Sequence, residues 1–422
     1  GVFRKLLAAD HPNVAKSLTN LGQALRDQSK FPEAETAFRE ALELNRKIFG
    51  NSHPTVNHAA SELASVIMSQ ERWSEAETAY RELVSMTGNR EDPDMPLFKN
   101  SLNRALYYQG KGKEVEEIYD KEIVALKQQF GPESQEVGTR LLTQAAQLER
   151  FSRHARAEAL GREALAIHRT LYGLAHPAVA SSLGSVGKSL SEQHKFAEAE
   201  PLLIEALAIL RNVTDVEEER LNDAISGLAE LYFRQNKFSQ SEPLYREVLQ
   251  DKVLADDHSI IFTTASLGRL LGDWALAEHE ARSKDTVPSP LSATRAREAE
   301  SLLRQCLKVW MDGPTNERHW RIADARSRLG GSLAVVGIID PDLTPEARHA
   351  IFTEAESLLI EGEKGLQEGL AGQTKYVRDT FARLVRLYRA WGKPEKAAAW
   401  QGKLDAFDQN RLAPEPATKP GS

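Results

Sequence analysis

Residues 11–50 read HPNVAKSLTNLGQALRDQSKFPEAETAFREALELNRKIFG, and this stretch decides the fold. Its apolar residues over 14–25 recur every three or four positions, which predicts an amphipathic helix. Pro12 suits the first turn of that helix, where a backbone N–H has no partner in any case. Residues 34–42 repeat the spacing, and Gly50 follows as a helix terminator. The stretch therefore predicts a hairpin of two helices.

The pattern of this hairpin recurs along nearly the whole chain. The second half of each unit contains a pair of residues four positions apart, of which the first is small and the second is in most cases large. The first residues of successive pairs are separated by 42, 39, 42, 42, 42, 58 and 56 residues. The pairs are Ala34/Phe38, Ala76/Tyr80, Val115/Tyr119, Ala157/Gly161, Ala199/Leu203, Ser241/Tyr245, Ala299/Leu303 and Ala355/Leu359. A single hairpin cannot bury its own apolar face, so the units must stack.

Composition narrows the classes of protein that fit. The chain has 422 residues, a net charge of -7, 41% hydrophobic and 27% charged residues, which describes a soluble folded protein. Cys306 is the single cysteine, so a disulfide framework and a multi-cysteine zinc site are excluded. No window approaches the roughly 20 apolar residues of a membrane span. The mildly acidic balance argues against a nucleic-acid partner, and we expect a cytoplasmic protein.

A period of about 42 residues fits both HEAT/armadillo repeats and long tetratricopeptide repeats, and the internal pattern decides between them. Leu21-Gly22 stands twelve residues before Ala34, with Phe38 and Ala41 following, in the order of a tetratricopeptide repeat. In its length the unit resembles the repeats of kinesin light chain. The resemblance implies an all-α, right-handed superhelical solenoid of antiparallel helix hairpins that binds a protein or peptide in its concave groove.

The C-terminal part carries a second resemblance. Residues 319–330, 354–362 and 387–398 are similar to the C-terminal end of bacterial serine/threonine protein kinases that carry tetratricopeptide arrays. The resemblance implies a kinase domain before the repeats in a parent protein, sometimes with a membrane span between them. Residues 2–10 match the segment that precedes His53-Pro54 and are predicted to be a truncated helix of an earlier repeat. A separately evolved capping helix is the alternative.

These patterns predict a domain organisation. Residues 1–10 form the truncated helix, 11–259 six hairpins of about 42 residues, 260–407 three further hairpins, and 408–422 a disordered tail. Two of the later hairpins carry surplus residues that include 283–290 and 339–345, and their prolines indicate inserted loops. Each insertion is either a binding loop or a tolerated surface insertion.

Motifs for catalysis and for metal or cofactor binding are missing from the sequence. The Gly-rich loop and the other kinase signatures are absent, so we expect no enzyme activity and no cofactor. His11, His53 and His176 each stand before a proline at the start of a unit, so they are interpreted as structural turn residues and no metal site is predicted. Recurring glutamate pairs such as Glu75/Glu77 are interpreted as solvated helix faces.

Candidate binding residues follow from the resemblance, which places outward positions of the first helices in the groove. They are Lys16, Asn20, Gln23, Arg26, His58, Asn100, Arg104, Tyr107, Tyr108, Lys188, Arg234 and Arg269. Arg104, Tyr107 and Tyr108 form the most ligand-like cluster, although packing against the next unit explains the tyrosines equally well. The signs of charge alternate, so no electrostatic class of ligand is favoured.

The sequence thus predicts a non-catalytic scaffold that binds a protein or peptide. The first hypothesis is that this scaffold is the regulatory or sensing arm of a larger serine/threonine kinase. A free-standing scaffold without a kinase and, from another class, an enzyme with a pocket between the two insertions are the alternatives.

Overall fold

The computed structural model describes residues 11–28, 30–51, 53–87, 94–250, 258–282, 290–312, 319–369 and 375–412. Within these ranges the protein consists of eighteen α-helices and has no β-strand. The predicted truncated helix at 1–10 lies outside them. The predicted all-α class is confirmed.

The helices of the regular part of the chain, residues 11–250, are α1 to α12. Their bounds are α1 Pro12–Asp27, α2 Phe31–Phe49, α3 Pro54–Ser69, α4 Trp73–Thr87, α5 Met95–Tyr108, α6 Gly112–Phe130, α7 Gln135–Arg150, α8 His154–Tyr172, α9 Pro177–Glu192, α10 Phe196–Arg211, α11 Glu218–Arg234 and α12 Phe238–Leu249. The remaining helices are α13 His258–Glu280, α14 Pro290–Asp312, α15 His319–Ile339, α16 Pro345–Gly369, α17 Lys375–Ala390 and α18 Pro394–Leu412.

Consecutive helices pair into hairpins, and the hairpins pack into two compact units. The first unit ends at Leu171 and the second begins at Tyr172. An odd-numbered helix is the first helix of its hairpin and the even-numbered helix after it is the second. Apolar clusters join neighbouring hairpins inside each unit: one spans Ala34 to Ala105 in the first unit and another spans Ile261 to Ala397 in the second. The predicted stack of helix hairpins is thereby confirmed within each unit.

Histidine opens three of the hairpins as an N-cap. The Nδ1 atoms of His11, His53 and His176 accept a hydrogen bond from the backbone N–H two residues later, at 3.1, 3.3 and 3.1 Å. Each cap satisfies an N–H that has no acceptor inside the helix. A proline follows each histidine as the first helical residue. The structural role predicted for these histidines is confirmed.

Close contact inside a hairpin explains the glycine of the repeat. A Cβ added at Gly22 would lie 2.7 Å from the Phe38 ring, so only glycine lets the two helices approach this closely. The same relation holds for Gly187 with Leu203, where the distance would also be 2.7 Å. The Phe38 ring is fully buried, belongs to the cluster that includes the next hairpin, and fills the space beneath Gly22 of its own hairpin.

Five turns inside the regular hairpins share a left-handed residue. Glu71, Ser152, His194 and Asn236 have φ between 56° and 60°, and Gly110 has φ of 78° at the same place. One residue in this conformation ends the first helix and redirects the chain into the second. The four non-glycine residues accept the conformational strain that glycine avoids.

In several hairpins a glutamate on the second helix accepts hydrogen bonds from the turn of the next hairpin. Glu77 accepts hydrogen bonds from Gln109 Nε2 and Lys111 Nζ, both at 2.7 Å. Its side chain is only 7% exposed, and its pKa is lowered because these hydrogen bonds outweigh the effect of burial, which is to raise it. The interpretation of Glu77 as part of a solvated face is therefore wrong, because the stacking of hairpins brings a cation to it from 34 residues away.

The contact recurs at other hairpin junctions, and we call it the glutamate clamp. It joins Glu35 to Gln70 and Arg72, Glu116 to Arg153, Glu200 to Gln235 and Lys237, and Glu356 to Lys396. Each donor follows its glutamate by 35 to 40 residues. The clamp therefore follows the repeat and ties neighbouring hairpins together.

The surplus residues of the later hairpins lie mainly in helices. Helices α13, α14, α15 and α16 have 21 to 25 residues, whereas those of the regular part have 12 to 19. In the second insertion residues 340–344 connect two helices, so the loop predicted over 339–345 is confirmed at these five residues, and the rest of the surplus is helical. In the first, residues 283–289 lie outside the described ranges, and Pro290 begins α14.

The end of the chain also differs from its predicted boundary. Helix α18 continues to Leu412, beyond the predicted start of the tail at 408. Asp408 accepts hydrogen bonds from Arg378 at 2.7 and 2.9 Å, which holds this end of the helix against α17. The rest of the predicted tail, residues 413–422, lies outside the described ranges, and the other predicted boundaries stay predictions.

Candidate functional site

Side chains join consecutive first helices, so within each unit these helices lie side by side and form one surface, the first-helix face. In the first unit Glu62 of α3 accepts from Gln23 of α1 at 3.0 Å and pairs with Arg26 of the same helix. Between α5 and α7, Gln147 donates to Asn100 at 2.6 Å. Three predicted groove residues, Gln23, Arg26 and Asn100, are therefore used in contacts between helices.

Lys16, Asn20 and His58 occupy the same helices as these contacts but are exposed. Lys16 and Asn20 lie one turn apart on α1, and His58 lies on α3. Their side chains are accessible to a partner, which fits the predicted role without testing it.

The cluster of Arg104, Tyr107 and Tyr108 on α5 divides into two parts. Tyr107 stacks on Phe151 with 4.1 Å between ring centroids and donates its hydroxyl to the Phe151 carbonyl, so it serves packing. Tyr108 stacks on Trp73 at 4.6 Å and keeps 39% of its surface exposed. Burial raises the pKa of its hydroxyl, which stays protonated at neutral pH.

Arg104 lies one helical turn before Tyr108 and is exposed. Its Nε donates to the sulfur of Met68 on α3 at 3.0 Å, which orients the guanidinium without neutralising it. Arg104 and Tyr108 thus form an exposed cation and ring whose positions are fixed by a neighbouring hairpin.

In the second unit the predicted residues lie on α9, α11 and α13. Arg234 donates to Glu192 at 2.6 Å and to Glu230 at 3.3 Å, and Arg269 donates to Glu230 at 2.5 Å. Both arginines therefore join first helices. Lys188 is exposed and extends over Gly227, where an added Cβ would lie 3.1 Å from Lys188 Cε.

Arg269 also contributes to a feature that the sequence did not predict. Helices α13, α15 and α17 line a small open cleft in the second unit, which we call the arginine cleft. Its polar lining residues are Arg269, Asp273, Arg328, Ser332, Arg383 and Arg386. Gly268 and Gly331 on its first helices mark close packing and not an opening, since an added Cβ would lie 2.9 Å from Leu303 Cγ and 2.6 Å from Arg383 Cδ, respectively.

Other chemistry is sparse in the described part of the chain. No group of three or more histidine, cysteine or carboxylate side chains within it is placed to hold a metal ion. Cys306 is 1% exposed and burial raises its pKa to about 12, which describes an inert thiol. Among the described residues, no helix combines the length and apolar character that a bilayer span requires.

Two family profiles match the chain, and both are described as tetratricopeptide repeat. One matches residues 14–55 and 223–259, and the other matches residues 139–212. No curated protein gives a significant match.

Several solved structures are similar to parts of the chain. BtubC (BKLC) from P. vanneervenii has 20% identity and a TM-score of 0.37, covering 55% of this chain and 95% of its own. A putative kinesin light chain of Podosopora anserina with TPR-like repeats has 17% identity and a TM-score of 0.31, covering 56% and 94%. A Rap protein complexed with Competence and Sporulation Factor has 12% identity and a TM-score of 0.41, covering 94% and 98%.

All three TM-scores are below 0.5, so the fold assignment depends on the helices described above and on the matching profiles. The profiles match regular hairpins of both units, where the histidine caps, glycine contacts and glutamate clamps occur. The chain therefore contains tetratricopeptide repeats over residues 14–55, 139–212 and 223–259.

Proposed function

We propose that the protein is a non-catalytic scaffold that binds a protein or peptide partner on its first-helix face. The observation that carries the proposal is the exposed pair Arg104 and Tyr108, fixed by Met68 and Trp73 of the neighbouring hairpin. Arginine and tyrosine contribute strongly to protein interfaces, and side chains fixed before binding lose less entropy when a partner arrives. The proposed partner contacts also include Lys16, Asn20, His58 and Lys188, which are exposed on the same face of their units.

The test is affinity capture with the full chain from extracts of the source organism. We expect an Arg104→Ala/Tyr108→Ala variant to lose at least one partner that the unchanged protein captures. Lys121→Ala is the matched control, because Lys121 is exposed on α6, a second helix, and its loss should leave the captured set unchanged. Identical captured sets for all three proteins would refute the assignment of this face.

A narrower proposal makes this scaffold the regulatory arm of a serine/threonine kinase. It is supported by the resemblance of residues 319–330, 354–362 and 387–398 to the C-terminal ends of such kinases. The test is the reading frame upstream of Gly1, which should encode the Gly-rich loop and the other kinase signatures. A frame that encodes only further hairpins and a start codon would remove the kinase and leave a free-standing scaffold. The cytoplasmic location and the lack of enzyme activity stay predictions.

A further inference from the structure

The histidine caps at the starts of α3 and α9 require a neutral ring. At α9 the Nδ1 atom of His176 accepts from the Ala178 N–H at 3.1 Å, and at α3 that of His53 accepts from the Thr55 N–H at 3.3 Å. A ring nitrogen accepts a hydrogen bond only while it carries no proton. Protonation of either ring therefore removes the acceptor and leaves an N–H of the helix without its partner.

The surroundings of both rings disfavour a positive charge. The first turns of α3 and α9 contain no acidic residue, and the last turns of the helices before them carry Arg46, Lys47 and Arg169. Glu82 of α4 approaches the end of α2 but is paired with Arg46 at 2.7 Å. Neither histidine forms an ion pair with any residue in the described ranges. A protonated ring would thus place an uncompensated cation at the positive end of a helix.

Each ring also stacks on an aromatic residue at the end of the preceding helix. His53 lies on Phe49 with 4.5 Å between ring centroids, and His176 lies on Tyr172 with 4.2 Å. An imidazolium would be attracted to these ring faces, but the neutral ring already stacks there and the attraction is weak at exposed sites. We expect the loss of the cap and the repulsion from the helix end to exceed this gain.

The start of α7 provides a reference within the same chain. There Ser134 takes the place of the histidine, and its hydroxyl accepts from the Val137 N–H at 3.4 Å. Gly131 ends the preceding helix with φ of 92°, as Gly50 and Gly173 do with φ of 76° and 74° before the two histidines. The three junctions therefore share a left-handed glycine and differ in whether the cap titrates near neutral pH.

We propose that the histidine caps of α3 and α9 form a pH-sensitive device that loosens these two helix starts as the pH falls from about 7.5 to about 5.5. Each cap contributes its full stability above this range and loses it as the ring takes up a proton, which an ordinary histidine does at about pH 6.5. The serine cap of α7 keeps its contribution throughout. Because α3 and α9 belong to the first-helix face, acid loosens that face at defined helices, whether or not it binds a partner.

The two caps should differ in the size of their response. The Thr55 hydroxyl lies 2.9 Å from His53 Nδ1, so a protonated Nδ1 can donate to it and stay at the start of α3. His176 has no such hydroxyl, because Ala178 stands at the corresponding position. We therefore expect the larger response at α9.

The test is hydrogen exchange of the full chain at about pH 7.5 and about pH 5.5, corrected for the intrinsic effect of pH on exchange. This range stays above the pH at which an ordinary carboxylate takes up a proton. We expect the protection of the Ala178 amide to fall roughly fivefold and that of the Thr55 amide about twofold, while that of Val137 stays constant. Equal protection of Ala178 at both pH values, or an equal fall at Val137, would overturn the proposal.

Two variants separate the caps from every other group that titrates in this range. His176→Ser and His53→Ser introduce the cap that α7 already uses, so both should fold. Each should remove the pH dependence of exchange over the first turn of its own helix and leave the other helix unchanged. A pH dependence that persists at the start of α9 in His176→Ser would assign the effect to another group and overturn the proposal.

The ring nitrogens give a direct readout by NMR of the chain with isotope-labelled histidine, and His176→Ser identifies the signals of His176 by their loss. At about pH 7.5 Nδ1 should be unprotonated and Nε2 protonated, since only that neutral tautomer accepts from the Ala178 N–H. Both nitrogens should carry a proton at about pH 5.5. A proton on Nδ1 at the higher pH would show that the ring is not the acceptor and would overturn the proposal.

Discussion

The regular hairpins at 11–250 and the last three hairpins at 258–412 use the same core but different surfaces. In both, a fully buried small residue opens the contact between two helices, as Ala34 does in the first hairpin and Ala355 in the eighth. The histidine caps occur in the regular part alone among the described residues, and the last three hairpins contain the long helices and the arginine cleft. The close contact between the two helices of a hairpin is therefore common to both parts, whereas helix length differs between them.

The largest loss of stability is expected from substitutions in the two apolar clusters, and it tests how far each cluster extends along the chain. Phe38→Ala should lower the free energy of unfolding by about 3–5 kcal/mol and Leu359→Ala by about 2–5 kcal/mol, because each leaves a cavity beneath a glycine. The cluster around Phe38 ends at Ala105, whereas the cluster around Leu359 joins all three last hairpins.

Hydrogen exchange measures the extent of the damage. We expect faster exchange in the first three hairpins for Phe38→Ala and across the whole of 258–412 for Leu359→Ala, since repeat stability is local. Uniform acceleration along the chain by either variant would contradict this difference.

A smaller change in stability is expected from substitutions at two glutamates whose pKa values are shifted in opposite directions. The pKa of Glu77 is lowered in the folded state, so its stabilisation is present above the ordinary value of 4.5 and is lost as pH falls below it. Glu77→Gln should cost on the order of 1 kcal/mol at pH 7 and reduce the loss of stability on acidification. Denaturant unfolding at pH 7 and pH 3.5 measures both.

Glu363 on α16 is the matched comparison from the last three hairpins. Burial raises its pKa, with Lys403 opposing, so its folded form gains stability as pH falls through that raised value. Glu363→Gln should therefore stabilise the protein slightly at pH 7, opposite in sign to Glu77→Gln. A loss of stability in both variants would show that the glutamate clamp is not what distinguishes them.

The smallest change in stability is expected at turn glycines, and it tests whether the turns of the regular part and of the last three hairpins are equivalent. Gly110 and Gly392 have φ of 78° and 70°, and an added Cβ would meet nothing within 4 Å at either. Gly110→Ala and Gly392→Ala should each cost about 1 kcal/mol through the backbone alone. Gly184→Ala, in the helical part of α9 with equally open surroundings, should instead stabilise by up to about 1 kcal/mol. Thermal unfolding of the three variants checks the signs.

The sequence predicts well what is local and periodic. The spacing of apolar residues identifies the hairpins, and the His-Pro pairs mark helix starts such as that of α3. In the later hairpins a proline does not by itself indicate a loop. Pro345 was interpreted as part of a loop, yet it occupies the first position of α16, where proline is favoured.

The candidate site was less predictable because its contacts join different hairpins. Arg26 and Glu62 are 36 residues apart, and only the angle at which one hairpin stacks on the next brings them together. Periodicity places Arg26 on the correct helix face but does not reveal its partner. The arginine cleft escaped prediction for the same reason, since its four arginines come from three helices.

The glutamate clamp has a consequence for how such a chain changes length in evolution. Several regular hairpins carry a glutamate for the hairpin after them and a cation in the turn for the hairpin before them, as Glu77 and the turn at Gln70 and Arg72 show. An in-frame deletion of one 42-residue period would bring Glu35 opposite Lys111 in place of Arg72. Duplication or loss of a whole hairpin therefore preserves charge pairing at the new junction, and arrays of different length are reachable in single genetic steps.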